Sequence, residues 1–353
     1  MSDGTWDLHG LKLSYFTGKL EAWLRVRGLP FRFVEMDMAG FRACARATGI
    51  AQMPALRSPD GTWLTDTTAI LRRLEAETPG PALQPTDPLA AFLSLFLEDA
   101  FDEWLWRPAL YYRWAFTDDA QLMGRRIAAT LMRDLPLPLA LKAAVVRRRQ
   151  QGVYLRQDGI TRTTAPSVAG LYLEVLDALE PLLARRPFLF GERPVAADFG
   201  LFGPMFRHFA SDPTPSALMR ERAPSVLAWT ARLWNARPEG ITDTPLPETA
   251  PADLDPLLRL AVRDHLVEMD ANAQAAARGL KVVRFRRGGV DWRLPVSPYR
   301  VQCLADLQAA FAALGTTDRA GVLERLGPGA EVLERPVQPA LPPGRRIRNR
   351  LWT

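Results

Sequence analysis

The sequence predicts an α+β chain: a mixed α/β domain over residues 1–80, an all-helical domain over 86–238, and a C-terminal extension over 239–353. Three observations carry this. Short apolar strands alternate with amphipathic segments in the first 80 residues. From Pro88 to about Arg237 strand signals fade, and apolar residues recur at helical spacing. Thr78-Pro79-Gly80-Pro81 interrupts both patterns and reads as a linker.

The elements follow in order. Trp6 to Gly10 is a strand, followed by a loop to Phe16 and a helix over Thr17 to Val26, with Leu20, Trp23 and Leu24 on one face. Gly28-Leu29-Pro30 ends that helix, a C-cap glycine with proline behind it. Phe31 to Met36 is the next strand. A connection leads to Gln52-Met53-Pro54-Ala55-Leu56, which forms a hairpin with Thr62-Trp63-Leu64 around the turn Ser58-Pro59-Asp60-Gly61. Asp66 or Thr67 caps a final helix striped by Ile70, Leu71 and Leu74. A right-handed crossover makes the first two strands parallel neighbours in a mixed four-stranded sheet.

In the second domain Leu93, Phe96, Leu97, Phe101 and Leu105 form one stripe, and Leu171, Val175, Leu179 and Leu182 another. Pro194 to Phe209 and Val226 to Trp234 are further apolar helices, all suited to a bundle core. The extension holds a proline-rich stretch, a helix over Leu257 to Ala277, a hairpin of Lys281–Phe285 with Val290–Leu294 around residues 286–289, two short helices, and a proline- and arginine-rich tail.

Composition narrows the function classes. With 48% hydrophobic and 24% charged residues, a chain of this length needs no disulfide or metal support. Cys44 and Cys303 are far apart, which argues for a reducing compartment and against a zinc ribbon. The net charge of +6 is mostly arginine. Its densest groups, Arg147-Arg148-Arg149 and Arg345, Arg346, Arg348 and Arg350, read as solvated surface, so nucleic acid is not expected as a partner. No secretory pattern opens the chain and no apolar run reaches membrane-span length, so a cytoplasmic location is the expectation. The three histidines lack ligand-like neighbours, and no metal site is expected.

Three segments could carry chemistry. Met53-Pro54 stands before a short strand; a cis bond there would leave the Met53 N–H and C=O turned outward to pair with an extended peptide. Asp66-Thr67 opens a helix, where a carboxylate, a hydroxyl and helical N–H groups can hold a zwitterionic amino-acid head, or can simply cap the helix. Ser14-Tyr15 lies beside a helix N-terminus, where a thiolate is electrostatically favoured. A hydrogen bond to a charged acceptor is worth about 1.5–3 kcal/mol. That lowers a bound thiol's pKa by roughly one to two units.

In order and spacing these segments resemble the glutathione transferase superfamily. Leu8-His9-Gly10-Leu11-Lys12-Leu13-Ser14-Tyr15-Phe16 resembles its first strand and catalytic loop, Met53-Pro54-Ala55-Leu56 its cis-proline strand, and Asp66-Thr67-x-x-Ile70-Leu71 its Glu-Ser-x-x-Ile motif. Phe188-Leu189-Phe190-Gly191 and Ala196-Ala197-Asp198-Phe199 are similar to the helical-domain signature. The resemblance spans roughly Thr5 to Pro238. Departures are Val195 where the signature has Ser or Thr, Asp66 for Glu, Thr67 for Ser, Phe16 where omega-like members carry cysteine, and Glu21 where arginine is usual.

The resemblance implies a thioredoxin-like N-terminal domain that binds glutathione as cosubstrate. It assigns Ser14, with Tyr15 as substitute, to the thiolate. Met53 and Pro54 fall to the peptide backbone, and Asp66 and Thr67 to the γ-glutamyl group. Gln52, Lys12 and Lys19 are candidates for the glycine carboxylate. Trp104, Tyr111 and Tyr112, with Trp106 and Trp114, are expected to wall a pocket between the domains for a small hydrophobic electrophile. A detoxifying transferase acting as a homodimer is the implied activity; a non-catalytic transferase-like binding or interaction module is the alternative.

Overall fold

The computed structural model describes residues 4–335, so the arginine-rich tail with Arg345, Arg346, Arg348 and Arg350 lies outside the described residues. The N-terminal domain contains β1 (Trp6–Gly10), α1 (Tyr15–Arg27), β2 (Phe31–Glu35), α2 (Met38–Thr48), β3 (Ala55–Arg57), β4 (Trp63–Leu64) and α3 (Thr67–Glu77). The sheet order is β2-β1-β3-β4. β1 and β2 are parallel, from Trp6 opposite Phe31 to Gly10 opposite Glu35, while β3 and β4 are antiparallel to their neighbours. This is the thioredoxin-like arrangement that the resemblance implies.

Two local differences have physical causes. α1 begins at Tyr15, two residues before the expected start, because Ser14 takes the extended N-cap conformation. The expected connection between β2 and the hairpin contains a full helix, α2. Its signals are present in the chain: Asp37 caps it by accepting from the Gly40 N–H at 2.8 Å, and Gly49 ends it in the left-handed conformation. Met38, Phe41 and Cys44 form its buried stripe, diluted by intervening alanines and arginines.

The second domain is helical: α4 (Pro88–Trp104), α5 (Trp106–Ala115), α6 (Thr117–Leu131), α7 (Leu139–Arg149), a one-turn α8 (Leu155–Gln157), α9 (Ala165–Leu183), α10 (Ala196–Pro204), α11 (Pro213–Arg222) and α12 (Pro224–Asn235). α10 starts after Val195 and continues in a wider turn to Phe209, within the segment expected to be helical. Val195 has no polar side chain with which to cap, so Asp198 keeps only its own half of the reciprocal pair, and Ser94 of α4 takes the Ala197 N–H at 3.2 Å. The Asp198 carboxylate accepts from the N–H groups of Val195 and Leu189, both at 3.0 Å, and from the Trp229 indole at 3.1 Å. Burial pushes Asp198 up to about 6 against those three donors. Gly200 lets α10 approach α4 closely; a Cβ there would sit 2.9 Å from the Glu98 Cα.

The extension is folded into the same core. α13 (Asp255–Ala261) runs through a wider turn into α14 (Val267–Ala277). β5 (Val282–Arg287) and β6 (Val290–Pro295) pair across a two-residue turn, tighter than expected because Arg286 and Arg287 join the strand. Gly288 and Gly289 both have positive φ there, as such a turn requires. α15 (Pro298–Ala312) and α16 (Thr316–Leu326) follow. Leu258, Leu266, Leu304, Phe311 and Leu326 belong to one buried cluster with Leu8, Trp23, Phe96 and Trp229. Phe311 meets Phe92 of α4 edge to face at 5.7 Å. Among the described residues no helix is long and apolar enough to cross a membrane.

Candidate functional site

The loop after β1 carries Ser14. Gly10 permits its tight path: a Cβ at Gly10 would meet the Thr17 hydroxyl at 2.5 Å. The Ser14 N–H donates to the Leu11 carbonyl at 2.9 Å, and its hydroxyl makes no cap bond with α1. Arg113 holds the neighbouring residue, donating from Nη1 to the Leu13 carbonyl at 2.9 Å. The guanidinium is itself fixed by a bidentate pair with Asp212, at 2.7 and 2.9 Å. His208 Nε2 lies 3.0 Å from the same Nη1. Burial first, and Arg113 second, pull His208 well below its ordinary value, so the neutral ring accepts from Arg113 and gives its Nδ1–H to the Ala109 carbonyl.

Tyr15 does not match its expected part. Its ring is 1% exposed, and its hydroxyl donates to the Phe101 carbonyl. Burial, reinforced by Asp102, pushes its pKa well above the ordinary phenol value. A donor already engaged inside the core is not offered to a bound thiol.

The Met53–Pro54 bond is cis. The β1–β3 ladder ends with His9 opposite Ala55, so the Met53 backbone lies beyond it. Gln52 is exposed nearby. Asp66 is the N-cap of α3, its Oδ1 accepting from the Ala69 N–H at 3.5 Å. It is the one non-glycine residue with positive φ (73°) among the described residues. Such a conformation costs about 1–3 kcal/mol and collects at ligand sites. Thr67, buried, begins the helix.

Ser14, Gln52, Met53, Pro54, Asp66 and Thr67 line one cavity of about 1330 Å³. Leu13, Trp106, Leu110, Trp114, Ile127, Leu131 and Val146 form an apolar part of its wall. The expected pocket residues Trp104, Tyr111 and Tyr112 do not line it. Trp104 is buried in the core; Tyr112 stacks on Phe116 at 5.5 Å and donates to the Ala169 carbonyl; Tyr111 packs edge-on against both rings. The helical turn that directs Trp106 and Trp114 inward points these three elsewhere.

The lysines are also displaced from their expected parts. Lys12 is exposed, its ammonium 5.7 Å from the centre of the Phe33 ring. Lys19 is fully buried between α1 and α4, 2.7 Å from Glu98 and 2.5 Å from Asp102. Thr68 joins this cluster, accepting from Lys19 at 3.2 Å. Burial works to lower the Lys19 pKa, but the two carboxylates outweigh it and hold the lysine charged. It is an internal counterion, occupied before any ligand arrives. Asp102 itself reaches the cavity wall.

The sequence offers no signal for two further wall residues. Arg113 reads as one of many arginines. Tyr299 lies at the start of α15, yet its hydroxyl donates to Asp66 Oδ2 at 3.4 Å. Asp99 and His265 are another pair drawn together by folding, at 2.7 Å; His265, expected to stand alone, is buried. No group of three or more metal-ligating side chains occurs among the described residues.

Residues 8–82 match the family Glutathione S-transferase, N-terminal domain, and residues 152–238 match Glutathione S-transferase, C-terminal domain. No curated protein matches the chain. Similar solved structures include the beta-etherase LigF from Sphingobium sp. strain SYK-6, 22% identical over 67% of this chain and 96% of that one, with a TM-score of 0.46. A glutathione S-transferase from Methylobacterium radiotolerans, in complex with glutathione sulfonate, is 22% identical over 69% and 97%, with a TM-score of 0.40. Rice GST1, in complex with glutathione, is 20% identical over 70% and 93%, with a TM-score of 0.43. Family membership rests on the two domain matches, together with the thioredoxin-like sheet followed by a helical domain. The chain belongs to the glutathione transferase superfamily, with an added C-terminal region that neither domain match covers.

Proposed function

We propose that this protein binds glutathione and activates its thiol for attack on a hydrophobic electrophile. The observation that carries the reading is convergence: Ser14, Met53 and Asp66, from three separate segments, line one cavity. Met53 offers backbone groups beyond the ladder to the cysteinyl part of the tripeptide. Asp66 receives the γ-glutamyl ammonium, and Thr67 with the α3 N-terminus receives the α-carboxylate. Ser14 donates its hydroxyl to the thiolate. Gln52 is the remaining candidate for the glycine carboxylate, since both lysines stand off the cavity wall. Pockets for drug-sized ligands span about 300–1,000 Å³, so this cavity has room for a second substrate against Trp106, Leu110 and Trp114. A cytoplasmic homodimer divided at residues 1–80, 86–238 and 239–353 completes the proposal.

Calorimetric titration tests binding: glutathione should saturate the protein, and Asp66→Ala should weaken it about tenfold or more, as loss of a charge-assisted hydrogen bond does. No heat at millimolar glutathione would sink the reading. Thiolate absorbance tests activation. Ser14→Ala should raise the bound thiol's pKa by about one unit or more, the equivalent of one such bond, and an unchanged value would leave binding without activation.

A further inference from the structure

The cavity wall is completed by a segment outside both domain matches. Residues 294–300 and Gln302, from the end of β6 into the first turns of α15, line it together with Ser14, Met53 and Asp66. Tyr299 is the point of contact with the site itself, its hydroxyl bonded to Asp66 across 233 residues of sequence.

We propose that the C-terminal extension is part of the ligand site, and that Tyr299 is a positioning residue that orients Asp66 toward a ligand's primary ammonium group. The proposal rests on the glutathione-binding reading above and adds a residue that the family motifs do not contain.

The segment presenting Tyr299 is held on every side. The Ser297 N–H donates to Asn272 Oδ1 and the Asn272 amide donates to the Ser297 carbonyl, both at 2.8 Å, which ties the start of α15 to α14. Ser297 also caps its own helix, accepting from the Arg300 N–H at 3.3 Å. Arg300 then reaches Glu103 of α4 at 2.9 Å and Glu268 of α14 at 2.8 Å. Glu268 in turn takes two hydrogen bonds from Arg107 of α5, each 2.7 Å. A tyrosine on an otherwise loose segment would meet Asp66 by chance; this one is built into position by anchors on α4, α5 and α14.

The chemistry suits an ammonium. An ionised carboxylate offers about four acceptor sites. In Asp66 one is turned to the Ala69 N–H and one to Tyr299, leaving the others for a ligand. Glu103 adds a carboxylate to the same wall, and its cation, Arg300, is shared with Glu268. The Tyr299 hydroxyl restricts rotation of the Asp66 carboxylate, so less freedom is lost when the ammonium binds.

The test uses the full chain with two probes, glutathione and glutathione acetylated on the γ-glutamyl nitrogen, titrated calorimetrically. Wild type should prefer glutathione. Tyr299→Phe should weaken glutathione about tenfold, as loss of one hydrogen bond to a charged group does, and leave the acetylated probe unchanged. In an Asp66→Asn background, adding Tyr299→Phe should change neither affinity, because the carboxylate it acts on is gone. Tyr299 is 39% exposed, so both variants should melt with wild type. Wild-type binding that Tyr299→Phe leaves untouched, or weakens equally for both probes, overturns the positioning role while the glutathione reading stands. Failure of wild type to bind glutathione removes both.

Discussion

Lys19 and Glu268 each sit at the centre of a buried ion cluster that sends one member to the cavity wall, and the two clusters carry opposite charge excess. In the first, a single ammonium is shared by Glu98 and Asp102. In the second, a single carboxylate is shared by Arg107, Arg287 and Arg300. The first joins α1 to α4 inside the transferase core. The second fastens the extension to α5. Acid excess makes the first cluster take up a proton: burial, with Glu98 beside it, pushes Asp102 up to about 8 against the pull of Lys19. Cation excess does the reverse to the second. Burial works against ionisation of Glu268, but Arg107, Arg300 and Arg287 overcome it and hold the carboxyl well below its ordinary range. Trp292 supports that excess, its ring 4.2 Å from the Arg287 guanidinium and 5.6 Å from that of Arg107. A buried charge is tolerated here by what surrounds it, and the surroundings set the sign of its response to pH.

Removing the hub of each cluster should have the largest effect on stability. Glu268→Gln leaves three guanidiniums without their shared anion and should cost about 3–5 kcal/mol in chemical denaturation. A loss below about 1 kcal/mol would mean that water already screens them, as at an exposed pair. Lys19→Met should cost somewhat less, about 2–4 kcal/mol at pH 8, because Asp102, one of the two carboxylates it strands, can take up a proton. The cost should shrink at pH 5; equal costs at both would show that Asp102 takes up no proton when its cation is removed.

The smallest effect is a slope. The folded Asp102 carboxyl titrates near 8 and the unfolded one near about 3.9. Between those values the native state holds more protons, so this group's contribution to stability is greatest below the lower value and declines as pH rises through 8. Melting temperatures from pH 5 to 9 should fall more in wild type than in Asp102→Asn. Parallel profiles would place a full charge on Asp102 throughout.

Much of the site was legible because it is made of local signals. Ser14 at a strand-to-helix junction, proline before a short strand, and Asp66 at a helix start each announce themselves within a few residues, and the fold brings all three to one cavity. Tyr15 shows the limit of that reading. It lies one position from Ser14, but helical geometry turns it into the core against Phe101. Trp104 and Trp106 divide in the same way, two residues apart, one in the core and one on the cavity wall. α2 is hidden in the sequence for a different reason: its capping aspartate and glycine are clear while its apolar stripe is thin.

Periodicity, capping residues and turn chemistry settle within a few positions along the chain, so the α+β class, the parallel pairing of the first two strands, the hairpin and the three candidate segments are readable from it. Burial and long-range pairing depend on which distant surfaces meet, and no local pattern encodes that. Long-range packing is what makes Lys19 an internal counterion, turns Trp106 and Trp114 rather than Tyr111 and Tyr112 toward the cavity, and brings Tyr299 from an extension beyond the matched domains to Asp66.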